Sequence, residues 1–256
     1  MKNKLRLIKF VSILSLAAVF FLTGNIAGAQ AIFVTKGKIE YEKKVNMHKY
    51  IDDNSWTREF KDRMPVYQTS YYDLIFDSTV TVFRKGKEVT DDKWKNMMMA
   101  ASEEDVVQMD YAGGIYSEFK QVFEKKFLVQ DSMIKIDWKI TDEFRTIAGF
   151  DCRKAVGRFF DSLYVVAFYT EQIPLQGGPA QYNGLPGVIL GLAFPRYFTT
   201  FFATKVEMVT PSATDLKLPA GKATKINRKD LMAQVVKVFE WGSEEERQKS
   251  FWNIIL

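Results

Sequence analysis

Apolar and polar residues alternate along "DSMIKIDWKITDEFRTIAGFDCRKAVGRFF", Asp131 to Phe160. Ile134, Ile136, Trp138 and Ile140 fall on one side, and Lys135, Asp137, Lys139 and Thr141 on the other. A strict period of two predicts a strand with one dry and one wet face. "TDEF" is expected to turn the chain, and "RTIAGFDCRKAVGRFF" to supply the next strand or pair, with Phe150 and Cys152 sharing a face. Ile39, Tyr41 and Val45, interleaved with charged neighbours in "KGKIEYEKKV", predict a first strand of the same kind. "SYYDLIFDSTVTVFRKGKEV" predicts two strands, with one turn at Asp77-Ser78 and a second at Lys85-Gly86. "SLYVVAFYTEQIP" is apolar on both faces, which suits a central strand ending at Pro174, a residue unable to donate to a ladder. "PGVILGLAF" and "RYFTTFFATKVEMV" predict two further strands joined at Pro195-Arg196.

The period changes in three places. Trp94, Met97, Met98 and Ala101 follow helical spacing behind Thr90, Asp91 and Asp92, and predict a short internal helix. Leu231, Val235, Val236 and Phe239 do so behind Asn227, a candidate cap, and Ser243 with Glu246 has capping-box spacing before the amphipathic end at 251–256. "IDDNSWTREFKDRMP" reads as a polar connection, and "PSATDLKLPAGKA" as a Pro- and Gly-containing one. The fold class expected is mainly β: a curved antiparallel sheet, open or half-barrel-like, with a short internal helix and C-terminal helical segments. Residues 30–210 are expected to form the β domain and 211–256 the connection and helical segment.

The opening "MKNKLRLIKFVSILSLAAVFFLTGNIAGAQ" departs from this pattern. Lys2, Lys4, Arg6 and Lys9 precede an apolar run from Phe10 to Leu22, and Ala27-Gly28-Ala29 matches a small-x-small cleavage site. Residues 1–29 are therefore expected to be a signal peptide, leaving Gln30 as the mature N-terminus. The run is shorter than the ~20 residues of a spanning helix, and no later segment reads as one, so the mature chain is not expected to be an integral membrane protein. The leader's four cations account for most of the formal net charge of +5, which falls to +1 without them. A nearly neutral domain lacks the footprint of a nucleic-acid binder. Cys152 is the single cysteine, so no intramolecular disulfide can form and stability must come from the core. An aromatic content of 14% favours a β-rich core.

The stretch "GGPAQYNGLPGVIL" admits two readings. As architecture, Leu185-Pro186-Gly187-Val188 fits a type II turn, with Asn183-Gly184 a turn dipeptide ahead of it. As a site, a loop this dense in Gly, Pro and aromatics presents rigid backbone to an extended peptide or lipid-like ligand. Its contact residues would be Tyr169, Pro174, Gly178, Pro179 and Tyr182, together with Leu185 and Pro186.

Three blocks, "GKIEYEKKV", "DSMIKIDWKITDEFRTIAGFDCRKA" and "AFYTEQIPLQGGPAQYNGLPGVILGL", together resemble the GLPGLI family of exported Gram-negative proteins. The motif stands here as Gly184, Leu185, Pro186, Gly187, Val188 and Ile189, with Val188 in place of Leu. The resemblance covers roughly Lys36 to Met208. Ala167 stands where the family carries a Trp before Phe-Thr or Tyr-Thr. The resemblance implies a periplasmic or outer-membrane-associated location and a shared architecture, with some members accompanying outer-membrane receptor systems. It implies no reaction.

Candidate chemistry is sparse. A Cys152–His48 dyad is conceivable, but Cys152 shares an alternation with Phe150 and reads as a small buried hydrophobe. One Cys and one His give no zinc spacing. Asp131, Asp137, Asp142, Glu143 and Asp151 cluster in sequence, as paired glycosidase acids can, though strand and turn positions explain them equally. Met97, Met98 and Met99 invite a Cu(I) site, but consecutive helical residues point apart and read as packing. The expectation is a noncatalytic envelope protein without metal or cofactor, binding a protein partner or an apolar or peptide ligand. The alternatives are a hydrolase acting on envelope material and an accessory subunit of an outer-membrane receptor system.

Overall fold

The computed structural model describes residues 33–51, 55–88, 104–122, 124–160 and 163–238, with Arg247 and Trp252. The expected leader, the helix expected over 90–101 with its methionines, and most of the 239–256 tail lie outside the described residues.

The described strands form one sheet built from two antiparallel meanders. The first contains β1 (Gly37–Asn46), β2 (Tyr67–Phe76), β3 (Val80–Lys85), β4 (Val106–Asp110), β5 (Ile115–Val122) and β6 (Lys125–Ser132). The second contains β7 (Trp138–Ile147), β8 (Phe150–Phe159), β9 (Leu163–Thr170), β10 (Val188–Phe194) and β11 (Thr199–Glu207). β1 pairs antiparallel with β11 and joins them, while β12 (Thr224–Ile226) adds parallel to β6. The order is β12-β6-β5-β4-β3-β2-β1-β11-β10-β9-β8-β7, an open twelve-stranded sheet.

Chain length requires this sheet to curl. β6 and β7 stand ten places apart in the order, which on a flat sheet is about 48 Å at ~4.8 Å per strand. Only residues 133–137 connect them, and five residues reach at most about 20 Å. The two meanders must therefore bend toward each other, giving the curved open sheet expected. Alternation supplies the inner face: Ile39, Tyr41, Leu74, Phe76, Val129, Ala155, Val165, Leu192 and Phe194 are all buried there.

Several local expectations need correction. The alternation over 134–140 is not one strand, because β7 begins only at Trp138 and the preceding residues form the crossing. "TDEF" does not turn the chain; it lies inside β7 at a register shift between Ile140 and Phe144. The turn follows at Ala148-Gly149, both with positive φ. Lys85-Gly86 is not a turn either, since the Gly86 N–H donates to the Tyr71 carbonyl and extends the β2–β3 ladder. "IDDNSWTREFKDRMP" includes helix rather than connection alone: α1 (Met47–Tyr50) precedes it and α2 (Ser55–Lys61) lies within it. Asp77-Ser78 turns the chain as expected, with the Asp77 carboxylate accepting from the N–H groups of Thr79 and Val80. α3 (Arg228–Val238) begins behind the expected Asn227 cap, which accepts from the Asp230 N–H at 2.8 Å. Leu231 and Val235 are buried and Val236 faces out.

Candidate functional site

Residues 171–187, between β9 and β10, fold into the curl rather than away from it. Ile173, Tyr182 and Leu185 are buried, and the Tyr182 ring lies 4.9 Å from Phe159 and 5.2 Å from Phe194. The segment holds itself through backbone bonds from Val188 to Ile173, Ile189 to Gly177 and Gly184 to Gln176. Asn183 fastens it to the crossing: its side-chain amide donates to the carbonyls of Ile134 and Gln181, while the Trp138 indole donates to the Asn183 carbonyl at 2.9 Å. The Tyr41 hydroxyl donates to the Ile189 carbonyl at 2.7 Å, tying the segment's exit to the central strand.

The glycines explain the motif differently from the expected turn. Gly184 takes the positive φ of 94° and Gly187 does not, so the 185–188 stretch is not a type II turn. Gly187 is required because a Cβ there would stand 1.9 Å from the Thr170 carbonyl oxygen. Of the expected contact residues, Tyr169, Gly178, Pro179, Tyr182, Leu185, Gly187, Val188 and Ile189 are buried; Pro174, Gly184 and Pro186 are exposed.

The other expected chemistry does not converge. His48 follows β1 at the end where β8 finishes, whereas Cys152 lies near the start of β8, at the opposite end of the sheet. The His48 ring contacts the Met64 carbonyl. Cys152 donates to the Phe150 carbonyl, and burial pushes its thiol up to about 12. The expected acids are engaged separately: Asp142 with Arg153 and Glu143 with Lys154, both at 2.7 Å, Asp131 with Arg228, and Asp151 with the Thr146 hydroxyl.

A second inner region combines charge with burial. Lys43, Lys85 and Lys120 project inward near the same ends of β1, β3 and β5. The Lys43 ammonium lies 5.2 Å from the Phe201 ring centre, and that of Lys85 lies 6.0 Å from Tyr72. Tyr72 stacks on Phe83 at 5.0 Å and meets Phe201 at 5.9 Å, so the lysines stand on one aromatic floor. Lys120 is buried against Glu118 at 2.8 Å and Asp105 at 3.8 Å. Burial works to lower the Lys120 pKa, but these carboxylates outweigh it and raise it. For Lys43 the balance is reversed: burial, with the Lys120 and Lys85 charges, lowers it to about 8. Tyr116 donates to Glu118, and the Arg228 guanidinium lies 4.5 Å over the Tyr116 ring.

This wall continues into a cleft of about 660 Å³ between α3 and the β5–β6 hairpin. Val122, Phe127, Leu231 and Val235 give it a buried apolar lining, while Glu124, Lys125, Gln234 and Lys237 are exposed around it. Phe127 is the register partner of Lys120, so cleft and lysine wall adjoin. The sequence contained one overlooked signal: Lys43 keeps the phase of Ile39, Tyr41 and Val45, a charge at a dry-face position.

The model of a family described as "Protein of unknown function (Porph_ging)" matches residues 158–191, the end of β8 through the motif into β10. No curated protein matches the chain in sequence. Among solved structures, "Structure of PNGF-II in P21 space group" is similar with a TM-score of 0.52 at 18% identity, covering 78% of this chain and 32% of that one. The C2 form of PNGF-II gives a TM-score of 0.52 at 16% identity, covering 76% and 31%. An uncharacterized conserved protein from Thermus thermophilus is similar at a TM-score of 0.40 and 8% identity, covering 75% of this chain and 91% of that one. The chain thus spans about a third of PNGF-II, and at these identities the likeness concerns the fold alone.

Proposed function

We propose that this chain is an exported, noncatalytic β-sheet protein of the Gram-negative cell envelope, of the GLPGLI type, that holds an apolar ligand inside its curved sheet. The observation that carries this reading is the apolar cleft between α3 and β5–β6. Its volume of about 660 Å³ lies within the ~300–1,000 Å³ of small-molecule sites. In this reading residues 1–29 are removed on export, 30–210 form the β domain, and the 211–256 segment returns with α3 to line the cleft. The motif supports the site from within by filling the other part of the curl.

Native mass spectrometry of protein purified from a Gram-negative envelope, combined with N-terminal sequencing, tests the proposal. The expected result is a chain beginning at Gln30 with a small molecule retained. A chain still carrying residues 1–29 would overturn export, and an unliganded chain that takes up no small molecule offered to it would overturn the binding role.

One observation favours the accessory-subunit reading as a second function. β7 is a ten-residue edge strand whose residues, apart from Trp138, Thr141 and Ile147, are exposed, with Phe144 at 68%. Such an edge can accept a strand from a partner. Capture of a receptor-system component by the mature protein, lost on Phe144→Lys, would support this role; unchanged capture would remove the edge from it.

A further inference from the structure

We infer that α3 is a movable cover over the cleft, pivoting on Arg228 at its start and latched by Trp252 beyond its end. This rests on the binding role proposed above and adds how an occupant enters.

The cleft is closed at its floor. Phe127, Leu231 and Val235 are each no more than 4% exposed, yet they belong to its apolar lining. A ligand that touches them has to part α3 from the β5–β6 hairpin. The polar contacts of α3 decide where it parts. The Arg228 guanidinium lies 4.5 Å over the Tyr116 ring and donates to the Ser132 carbonyl, and its backbone N–H donates to the Asp131 carboxylate. These partners stand at the start of β5 and the end of β6. The cleft residues of α3 all lie downstream, from Leu231 to Lys237, against the turn end of the hairpin from Val122 to Phe127. Among the described residues, no α3 side chain beyond Arg228 makes a polar contact with the sheet. The apolar contacts of Leu231 and Val235 part without leaving a polar group unpaired. The helix therefore lifts from its far end and turns about its near one.

The chain beyond that far end has a seat of its own. Trp252 is 6% exposed, with the ring centres of Phe159, Phe160 and Tyr197 at 6.4, 6.2 and 6.1 Å. These rings come from the end of β8, the residue after it and the turn between β10 and β11. They stand at the same end of the sheet as the β5–β6 turn, but on the opposite meander. Phe160 holds a positive φ of 48°, which bulky residues rarely adopt, and its ring meets Phe159 at 4.4 Å. Strain of this kind persists where the surroundings demand the shape. Thirteen residues, 239–251, separate α3 from Trp252. A tether of that length returns a released ring to its seat at high effective concentration, so the latch is reversible.

Stopped-flow mixing of the protein with N-phenyl-1-naphthylamine, a neutral probe that fluoresces on entering an apolar site, tests the inference. The parent's uptake rate should level off as probe concentration rises, because opening of α3 becomes limiting. Trp252→Ala should raise that ceiling about five-fold or more, and Trp252→Phe, which keeps a ring in the seat, should restore most of the parent's value. Urea unfolding checks the fold; if Trp252→Ala fails to fold, Phe160→Gly takes its place, removing one wall of the seat and keeping the positive φ. Uptake that climbs in proportion to probe concentration up to the mixing limit would overturn the cover and leave the binding role standing. An unchanged ceiling in the folded variant would remove Trp252 from the latch. Absence of any fluorescence rise in parent and variants alike would overturn the binding role, and the cover with it.

Discussion

The two meanders bury their inner faces by different means. In β7–β11 the interior is apolar: Leu192 and Val165 are buried, Phe194 and Phe159 pack on Tyr182 of the inserted segment, and Tyr182 and Leu185 fill the curl. In β1–β6 the interior is mixed, with Lys43, Lys85, Glu118 and Lys120 among Tyr72, Phe83 and Phe127. The recognisable motif and the 158–191 family match both lie in the dry meander. Apolar packing with the hydrogen bonds of Asn183 and Tyr41 accounts for its residues, whereas Lys120 of the mixed meander is held by ion pairing to Glu118 and Asp105. The family match thus falls on the inserted segment, and the buried charges stand across the sheet from it.

The largest effect that would break this contrast belongs to Gly187. Gly187→Ala places a Cβ against the Thr170 carbonyl, where backbone must move, and should cost about 3 kcal/mol or more. Gly184→Ala meets only its positive φ and should cost about 1 kcal/mol. Urea unfolding separates them; equal losses would mean that the segment does not press on β9. On the mixed side, Lys120→Met strands a buried Glu118 and should cost about 3–5 kcal/mol at pH 7. Adding Glu118→Gln should recover much of this, and a double variant as unstable as the single one would show that the ion pair is not the cause.

Asn183→Ala should be milder, about 1–3 kcal/mol, because it removes the amide holding the half-buried Ile134 carbonyl and leaves the buried Gln181 carbonyl without it. Its loss should appear as faster amide exchange in residues 133–138. The Lys43 effect has the opposite sign. Its folded pKa of about 8 lies below the ordinary 10.5, so unfolding takes up a proton between those values and stability rises with pH across the window. Lys43→Met should be more stable than the parent at pH 7, with the advantage fading toward pH 10.5. Lys120, raised by its acids, contributes stability that is complete below 10.5 and lost only as pH climbs through its folded value. Urea midpoints from pH 7 to 10 check the sign for Lys43, and midpoints from pH 10.5 upward check that for Lys120. The smallest effect is at Cys152, whose buried thiol should resist Ellman's reagent at pH 8 until the chain unfolds.

Much of this architecture was legible in pattern: one wet and one dry face leave a period of two in β1 and β8, and β9 and β10 stand out as continuous apolar runs. Pattern alone misplaced the strand expected over 134–140: those residues do alternate, but residues 133–137 bridge the curl, which depends on the long-range pairing of β1 with β11. The type II turn failed because Gly-Pro composition does not distinguish a glycine needed for φ from one needed for close approach. Glu118 and Lys120 escaped notice because in "IYSEFKQV" both faces mix polar and apolar residues. Lys43 was visible as a charge in phase with a dry face, yet its neighbours Lys85 and Lys120 belong to strands that only the fold brings near.

Amide hydrogen exchange of the protein with and without saturating dodecanol tests the division of labour most directly. Exchange should slow in the β5–β6 hairpin and along α3, with residues 173–189 unchanged. Slowing confined to residues 173–189, with the hairpin and α3 unaffected, would contradict the account and make the inserted motif the binding element.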